Sequence, residues 1–294
     1  MTFDYSRYDK LRVELDGAVL RLTLNRPEKR NIIDDPINTQ LSDAFHDATF
    51  DDRVRCVVLA GEGPSFCGGG DFAQMKRKVD DPGLFFKGIW NSRRLVYTVL
   101  DCPKPTVAKL QGHAMGLGAT LPLMCDFVVA VDDTKIADPH VNIGLVAGDG
   151  GSLIWPQMMG YAKARKFLML GEPILGKEAA ELGLIAESAP TFEEMDAIAE
   201  RWIDKLANGA SMSLYGTKMT INQPLRQLAH AALDTGMAYE GLSNISTPKP
   251  SPRSAKSGAR PSPGNDRGGG GVHRIPAACS HSTASRACGS RHGG

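Results

Sequence analysis

Residues 106–131 read TVAKLQGHAMGLGATLPLMCDFVVAV. The apolar run 106–110, set off by Pro103 and Pro105, is a short strand, and a Gly-rich turn leads from it into a helix expected at about 117–125. The run 127–131 is a second strand, apolar throughout, of the kind buried on both faces. A strand that reaches the next through a helix is the unit of a parallel α/β sheet. Upstream, residues 54–60 (VRCVVLA) form another such strand ending at Gly61, and a helix at 84–100 carrying Phe85, Ile89, Leu95 and Val99 connects it to Thr106. Ile37, Leu41, Ala44 and Phe45 recur at helical spacing. Nearest the start, Leu11, Val13 and Leu15 alternate up to Asp16-Gly17, and Leu20, Leu22 and Leu24 alternate after it, so residues 10–24 read as a hairpin.

Past Asp149 the strand patterns stop. Helices are expected at 155–160, 162–170 and 177–182, and Thr191 with Glu194 makes a capping box for a long helix whose apolar face is Met195, Ile198, Ala199, Trp202, Ile203 and Leu206. A second long helix is expected from about 224 to 243, with Leu225, Leu228, Ala229, Ala232 and Leu233 inward. From residue 246 to 294, Gly, Ser and Pro fill 24 of 49 positions, and Val272 and Ile275 are the only large aliphatic residues. Such a segment buries too little surface to offset its ordering entropy, and it is read as disordered. Its Cys279, His281, Cys288 and His292 match no zinc spacing. The organisation is therefore an α/β core over 1–190, a helical region over 191–245 and a basic tail over 246–294.

With 294 residues, 42% hydrophobic and 23% charged, the chain has the composition of an ordinary globular protein. Its 34 basic and 33 acidic residues give a net charge of +1, which excludes a global field for nucleic acid or an anionic membrane. The balance conceals a split, since the tail carries eight Lys/Arg and one Asp, a net +7, and leaves the body at −6. Of the six cysteines, Cys56, Cys67, Cys102 and Cys125 sit among apolar neighbours as buried free thiols would in a reducing compartment. The first residues, MTFDYSRYDK, show neither a signal-peptide nor a transit-peptide pattern, and no run of eighteen apolar residues occurs, so a cytoplasmic protein without a membrane partner is expected.

Two Gly-rich stretches follow strands: residues 65–71 (SFCGGGD) and 112–118 (GHAMGLG). The first frees its backbone to present N–H groups, and the second opens a helix whose first N–H groups lack intrahelical partners. Neither continues into Gly-Lys-Ser/Thr, so neither is a phosphate loop, and the second lacks the dinucleotide spacing. Each alone is a turn; together, two N–H donors converging on one carbonyl oxygen make an oxyanion hole.

These stretches, with LNRPEKRN (24–31), FCGGGDF (66–72), GHAMGLGATLPLMCD (112–126), Gly144-Leu145 with GDGG (148–151), LGEPI (170–174) and AAELGLI (179–185), resemble the crotonase (enoyl-CoA hydratase/isomerase) superfamily over about residues 10–243. The resemblance implies an α/β fold, a spiral of ββα units followed by a helical C-terminal region that assembles trimers or dimers of trimers. It implies an acyl-CoA thioester substrate, with coenzyme A as part of the substrate, no separate cofactor and no metal. The activity implied is that of an enoyl-CoA hydratase or isomerase of fatty acid metabolism, a lyase or isomerase. The oxyanion donors would be the backbone N–H groups of Gly70 and Leu117, the latter standing where a glycine is usual. Arg26, Lys29 and Asn31, on the loop 26–31, would border the coenzyme A nucleotide, with Lys29 nearest a phosphate.

The acid-base positions depart from the family pattern. Thr120 and His140 stand where its hydratases carry two glutamates, and Asp149 stands roughly where several isomerases keep one acidic proton shuttle. A carboxylate beside an apolar acyl pocket, raised in pKa by desolvation, moves protons between the carbons of an enolate. His140 and Asp149 are nine residues apart, and a carboxylate can also orient an imidazole that activates water. The run through Asp138-Pro139-His140, residues 144–150 and Ile154-Trp155-Pro156 is similar to 6-oxocamphor hydrolase, a superfamily member that cleaves a C–C bond of a β-diketone by retro-Claisen chemistry and has a histidine at the position of Leu117. Three functions stay open: enolate chemistry on an acyl-CoA by Asp149 assisted by His140, retro-Claisen hydrolysis of a β-diketone, and a non-catalytic CoA-binding homologue with His140 a satisfied core residue. Asp71 is expected to cap a helix and Trp155 to lie in the core, while Glu240, on the late amphipathic helix, is expected on a solvated face, the alternative being an approach to the site of its own or a neighbouring subunit.

Overall fold

The expected hairpin is β1 (Leu11–Asp16) and β2 (Val19–Leu24), antiparallel with Leu15 opposite Leu20, and α1 (Asp35–Phe50) buries Ile37, Leu41, Ala44 and Phe45. These belong to a computed structural model that describes residues 2–246, so the tail assigned to 246–294 lies outside the described residues but for Ser246. Three passes of one pattern follow. Strands β3 (Cys56–Gly61) and β4 (Ser65–Cys67) lead into α2 (Phe72–Asp80) and α3 (Pro82–Asp101). Strands β5 (Thr106–Leu110) and β6 (His113–Met115) lead into α4 (Leu117–Leu123). Strands β7 (Phe127–Val131) and β8 (Lys135–Ala137) lead, past a loop, into α5 (Gly151–Met159) and α6 (Tyr161–Leu170). The chain then forms β9 (Ile174–Leu175), α7 (Gly176–Glu181), β10 (Glu187–Ala189), α8 (Phe192–Asn208) and α9 (Ser211–Ser246).

The first strand of each pass enters one sheet and the second enters another, in the orders β1-β2-β3-β5-β7-β10 and β4-β6-β8-β9. This two-sheet alternation is the ββα spiral of the crotonase fold. The central strands β3, β5 and β7 pair in parallel and are almost entirely buried, which is why they read as continuous apolar runs. One face of that sheet is covered by α8, whose Met195, Ala199 and Ile203 cluster with Val58, Val107 and Val129, while α9 packs on α3 and α5 through Ala229, Leu233 and Met237. Trp155 is fully buried, and Thr191 accepts from the N–H of Glu194 as the N-cap of α8. Cys56, Cys67, Cys102 and Cys125 are buried and free. Burial pushes the thiols of Cys56, Cys67 and Cys125 up to about 12, which keeps them inert. Among the described residues no helix is long and apolar enough to cross a membrane.

Two expectations are corrected. Strands do not stop at Asp149: β9 pairs antiparallel with β8, and β10 extends the larger sheet parallel to β7. Segments of two and three residues are too short to show a period, and their pairing is dictated by the neighbouring strand. The last helix begins at Ser211 instead of at residue 224, and Pro224 lies inside it. A proline there forfeits the bond to the Thr220 carbonyl. The first turns are held by tertiary contacts, since buried Lys218 pairs with Asp126 at 2.7 Å and donates to the Lys104 carbonyl at 2.8 Å.

Candidate active site

Strands β4, β6 and β8 are parallel, with Cys67 beside Ala114 after a register shift in β4 and Met115 beside Ala137, so the segments that leave their carboxyl ends emerge side by side. The first carries Gly70. Ile33 donates to the Gly69 carbonyl (2.8 Å) and accepts from the Asp71 N–H (3.1 Å), which brackets Gly70 and turns its own N–H away from that ladder. After β6, Gly116 adopts φ 53° and ψ −124°, its N–H held by the Ala137 carbonyl at 2.9 Å, and this turn places Leu117 first in α4. The Leu117 N–H is thus one of the unpaired donors of a helix start, on its positive end. Neither N–H finds an acceptor among the described residues. Both residues line one cleft, together with Met75, Lys78, Phe85, Ile89, Asp149, Met237 and Glu240.

The segment after β8 supplies a buried electrostatic array. Asp138, His140 and Asp149 are 1%, 5% and 7% exposed. The Nδ1 of His140 is hydrogen-bonded to Asp138 Oδ1, its Nε2 lies 3.6 Å from Asp149 Oδ2, and the Thr120 hydroxyl of α4 approaches Asp149 Oδ1 at 3.5 Å. Burial alone would discharge the imidazole, yet carboxylates on both sides, Asp149 and then Asp138, raise its pKa to about 10. Burial likewise raises the pKa of Asp149, with the charge of His140 opposing it. His140 is therefore a cation between two acids. The other oxygen of Asp138 is buried without a hydrogen-bond partner among the described residues and faces Gly151, where a Cβ would stand 2.0 Å from it. Atoms of the three residues lie within 4.8 Å of one another, a grouping of metal-ligand types.

Gly70, Met75 and Leu117 stand between two adjoining hollows, one lined also by Asp149 and Glu240 and the other by His140, Gly116 and Ile143, so both members of the array reach the surface around the two N–H groups. Away from it, Arg26 pairs with Asp34 at 2.5 Å, and its N–H donates to the side-chain oxygen of Asn31 at 2.8 Å. Buried Asn31 donates to the carbonyls of Glu62, Ser65 and Phe66 and so ties the loop 26–31 to the turn between β3 and β4. Lys29 is exposed, and none of the three lines the cleft. Asp71 caps α2 by accepting from the N–H groups of Ala73 and Gln74.

The sequence assigns Asp138 no role of its own, and its signal is a carboxylate two positions before a histidine. Glu240, expected on a solvated helix face, lines the cleft instead, where burial and then the charge of Asp149 raise its carboxyl to about 8, against the pull of His140. The stripe of α9 marks it: Glu240 stands three residues after Met237 and seven after Leu233, both buried.

Residues 14–243 match the model of the enoyl-CoA hydratase/isomerase family. Among similar proteins, a 1,2-epoxyphenylacetyl-CoA isomerase of Escherichia coli is 31% identical over 238 residues, covering 79% of this chain and 89% of its own. A crystal structure of an enoyl-CoA hydratase/isomerase from Mycobacterium paratuberculosis has a TM-score of 0.76 and 32% identity, covering 82% of this chain and 96% of its own. A β-diketone hydrolase from the cyanobacterium Anabaena sp., bound to (S)-3-oxocyclohexyl acetic acid, has a TM-score of 0.75 and 25% identity over 82% of this chain and 96% of its own.

Proposed function

We infer, from the premise that this chain belongs to the enoyl-CoA hydratase/isomerase family, that it binds an acyl-CoA thioester on the N–H groups of Gly70 and Leu117 and moves protons at the acyl carbons with Asp149. The observation that carries this reading is that Gly70, Leu117 and Asp149 line one cleft. Two unpaired N–H donors stabilise the oxyanion of a thioester enolate, typically the largest single contribution in such sites. A carboxylate with a raised pKa is a stronger base toward a carbon acid and also returns the proton. Paired with Asp138, His140 stays charged while Asp149 alternates between its two forms, and it fixes the Asp149 carboxyl. Double-bond migration in an enoyl-CoA is the reaction that needs only these parts. Lys29 is the group we assign to a coenzyme A phosphate, and a homotrimer or hexamer in the cytoplasm is the setting the family resemblance implies.

The likeness to a β-diketone hydrolase supports a second reading, with His140 as the base that activates water for C–C cleavage. The imidazole is already protonated, which weighs against it as a base. The test is Asp149→Asn, assayed on a 3-enoyl-CoA for isomerisation and on a saturated acyl-CoA for exchange of the α-proton in deuterium oxide. Both rates should fall about 100-fold or more while acyl-CoA affinity changes little. Undiminished α-proton exchange in Asp149→Asn would remove Asp149 from the chemistry, and cleavage of a β-diketone by the wild type would favour the second reading.

A further inference from the structure

We propose that Glu240 of α9 is a second acid-base residue of this cleft, forming with Asp149 a carboxylate pair that shares one proton and adds water across an enoyl-CoA double bond. The proposal rests on the acyl-CoA reading above and extends it from proton migration to hydration.

The pair is built by a close contact between the loop before α5 and one face of α9. A Cβ on Gly148 would lie 2.2 Å from the Gly236 carbonyl oxygen and 2.8 Å from Glu240 Cβ, so only glycine lets the two backbones approach this closely. Two residues earlier, the Val146 N–H donates to the Ser243 hydroxyl at 3.1 Å, and that hydroxyl donates to the Glu240 carbonyl at 2.7 Å. Positions 236, 240 and 243 share one helix face, so the loop is fastened at successive points along it. Asp149, the residue after Gly148, and Glu240 are thereby held at the same wall of the cleft.

The cations around them do not match the acids one for one. His140 is shared, its Nδ1 bonded to Asp138 and its Nε2 3.6 Å from Asp149, so one imidazolium serves two carboxyl groups before Glu240 is counted. Lys78, the cation that also lines the cleft, is matched by Asp35 at 2.7 Å. Two carboxyl groups that remain in one partly dehydrated space cannot both ionise cheaply, and one proton between them is the favoured state. Burial and the charge of Asp149 both act in that direction on Glu240, with His140 and Lys78 opposing and Asp138 adding to it.

Such a pair supplies what hydration requires and what Thr120 and His140 cannot supply. The ionised member takes a proton from water as the water oxygen bonds to Cβ. The C=C electron pair moves into the thioester enolate held by the Gly70 and Leu117 N–H groups. The protonated member then gives its proton to Cα as the enolate collapses. The net change is one water added, with the proton transferred from one carboxyl to the other, and it returns directly or through a water molecule.

The experiment has two readouts on the full chain. In protein carrying ¹³C-labelled Glu side-chain carboxyls, assigned by comparison with Glu240→Gln, the Glu240 carboxyl should titrate near 8 in the wild type and drop by at least one pH unit in Asp149→Asn. Hydration of a short 2-enoyl-CoA should fall about 100-fold or more in Glu240→Gln with little change in KM, and recover in part in Glu240→Asp. The wild-type rate should also fall as pH rises above about 8, where the shared proton is lost. Glu240 titrating in the ordinary carboxylate range in both proteins, or a Glu240→Gln variant that hydrates at the wild-type rate, would overturn the proposal. Failure of the acyl-CoA reading would show separately, as a wild type that neither isomerises an enoyl-CoA nor exchanges an α-proton, and the titration would still decide whether the pair shares a proton.

Discussion

Replacing His140 with Gln tests the electrostatic core of the site, because it removes the cation between Asp138 and Asp149 and nearly preserves the volume. Displacing a titration by one pH unit is worth about 1.4 kcal/mol, and an imidazole ordinarily titrates near 6.5. Here the ring holds its proton to about 10. The folded state therefore gains on the order of 3–5 kcal/mol from it, the range seen when one partner of a buried ion pair is removed. The folded pKa lies above the unfolded one, so the gain is complete below about 6.5 and is lost as pH rises through about 10. His140→Gln should accordingly lower Tm by about 6–20 °C at pH 6, taking about 2–4 °C per kcal/mol for a chain of this size. The gap from wild type should narrow progressively between pH 7 and 10. Thermal melts of both proteins at pH 6, 8 and 9.5 measure it. An equal loss at every pH would mean that His140 contributes packing alone, and no loss at pH 6 would mean that the array is not an ion pair.

Gly148→Ala should push α9 from the loop by about 1 Å, because the added Cβ would meet the Gly236 carbonyl at 2.2 Å. The expected cost is about 1–3 kcal/mol of stability and about 100-fold in turnover, read by melting and by acyl-CoA kinetics, and wild-type values for both would show that this contact does not set the site. Asn31→Ala should cost about 1–3 kcal/mol by leaving buried carbonyls unpaired, measured by urea unfolding; a loss within about 0.5 kcal/mol would mean that water satisfies them instead.

What could be read from the sequence depended on how far each element's pattern outlasts its own length. Strands β3, β5 and β7 are five or six residues of nearly unbroken apolar sequence separated by helices, and that order is enough to give the parallel sheet. Strands β9 and β10 have no pattern to read, since β8 and β7 impose their pairing. Pro224 looked like a helix start, because local propensity says nothing about Lys218 reaching Asp126 from another part of the fold. Gly70, Leu117 and Asp149 were legible together because they belong to ordered motifs, while the meeting of their elements in one cleft follows from β4 and β6 ending side by side.

Asp138, without a role of its own in the sequence, and Glu240, expected on a solvated face, have a different cause in common. Periodicity reports which face of an element turns inward, but it cannot distinguish apolar core from a cleft lined with water and substrate. On α9 the inward stripe runs from Leu233 through Met237 to Glu240, and a rule that sends carboxylates outward removes the last of these from the stripe. Asp138 lies just past β8, where burial would ordinarily argue against an acid. Once His140 is seen to lie between two carboxylates, the preference reverses: a buried imidazolium must be paired, so an acid at 138 is what the histidine requires. Glu240 has no such cation left to pair with, since Lys78 is taken by Asp35, and that is the electrostatic ground for assigning it a proton.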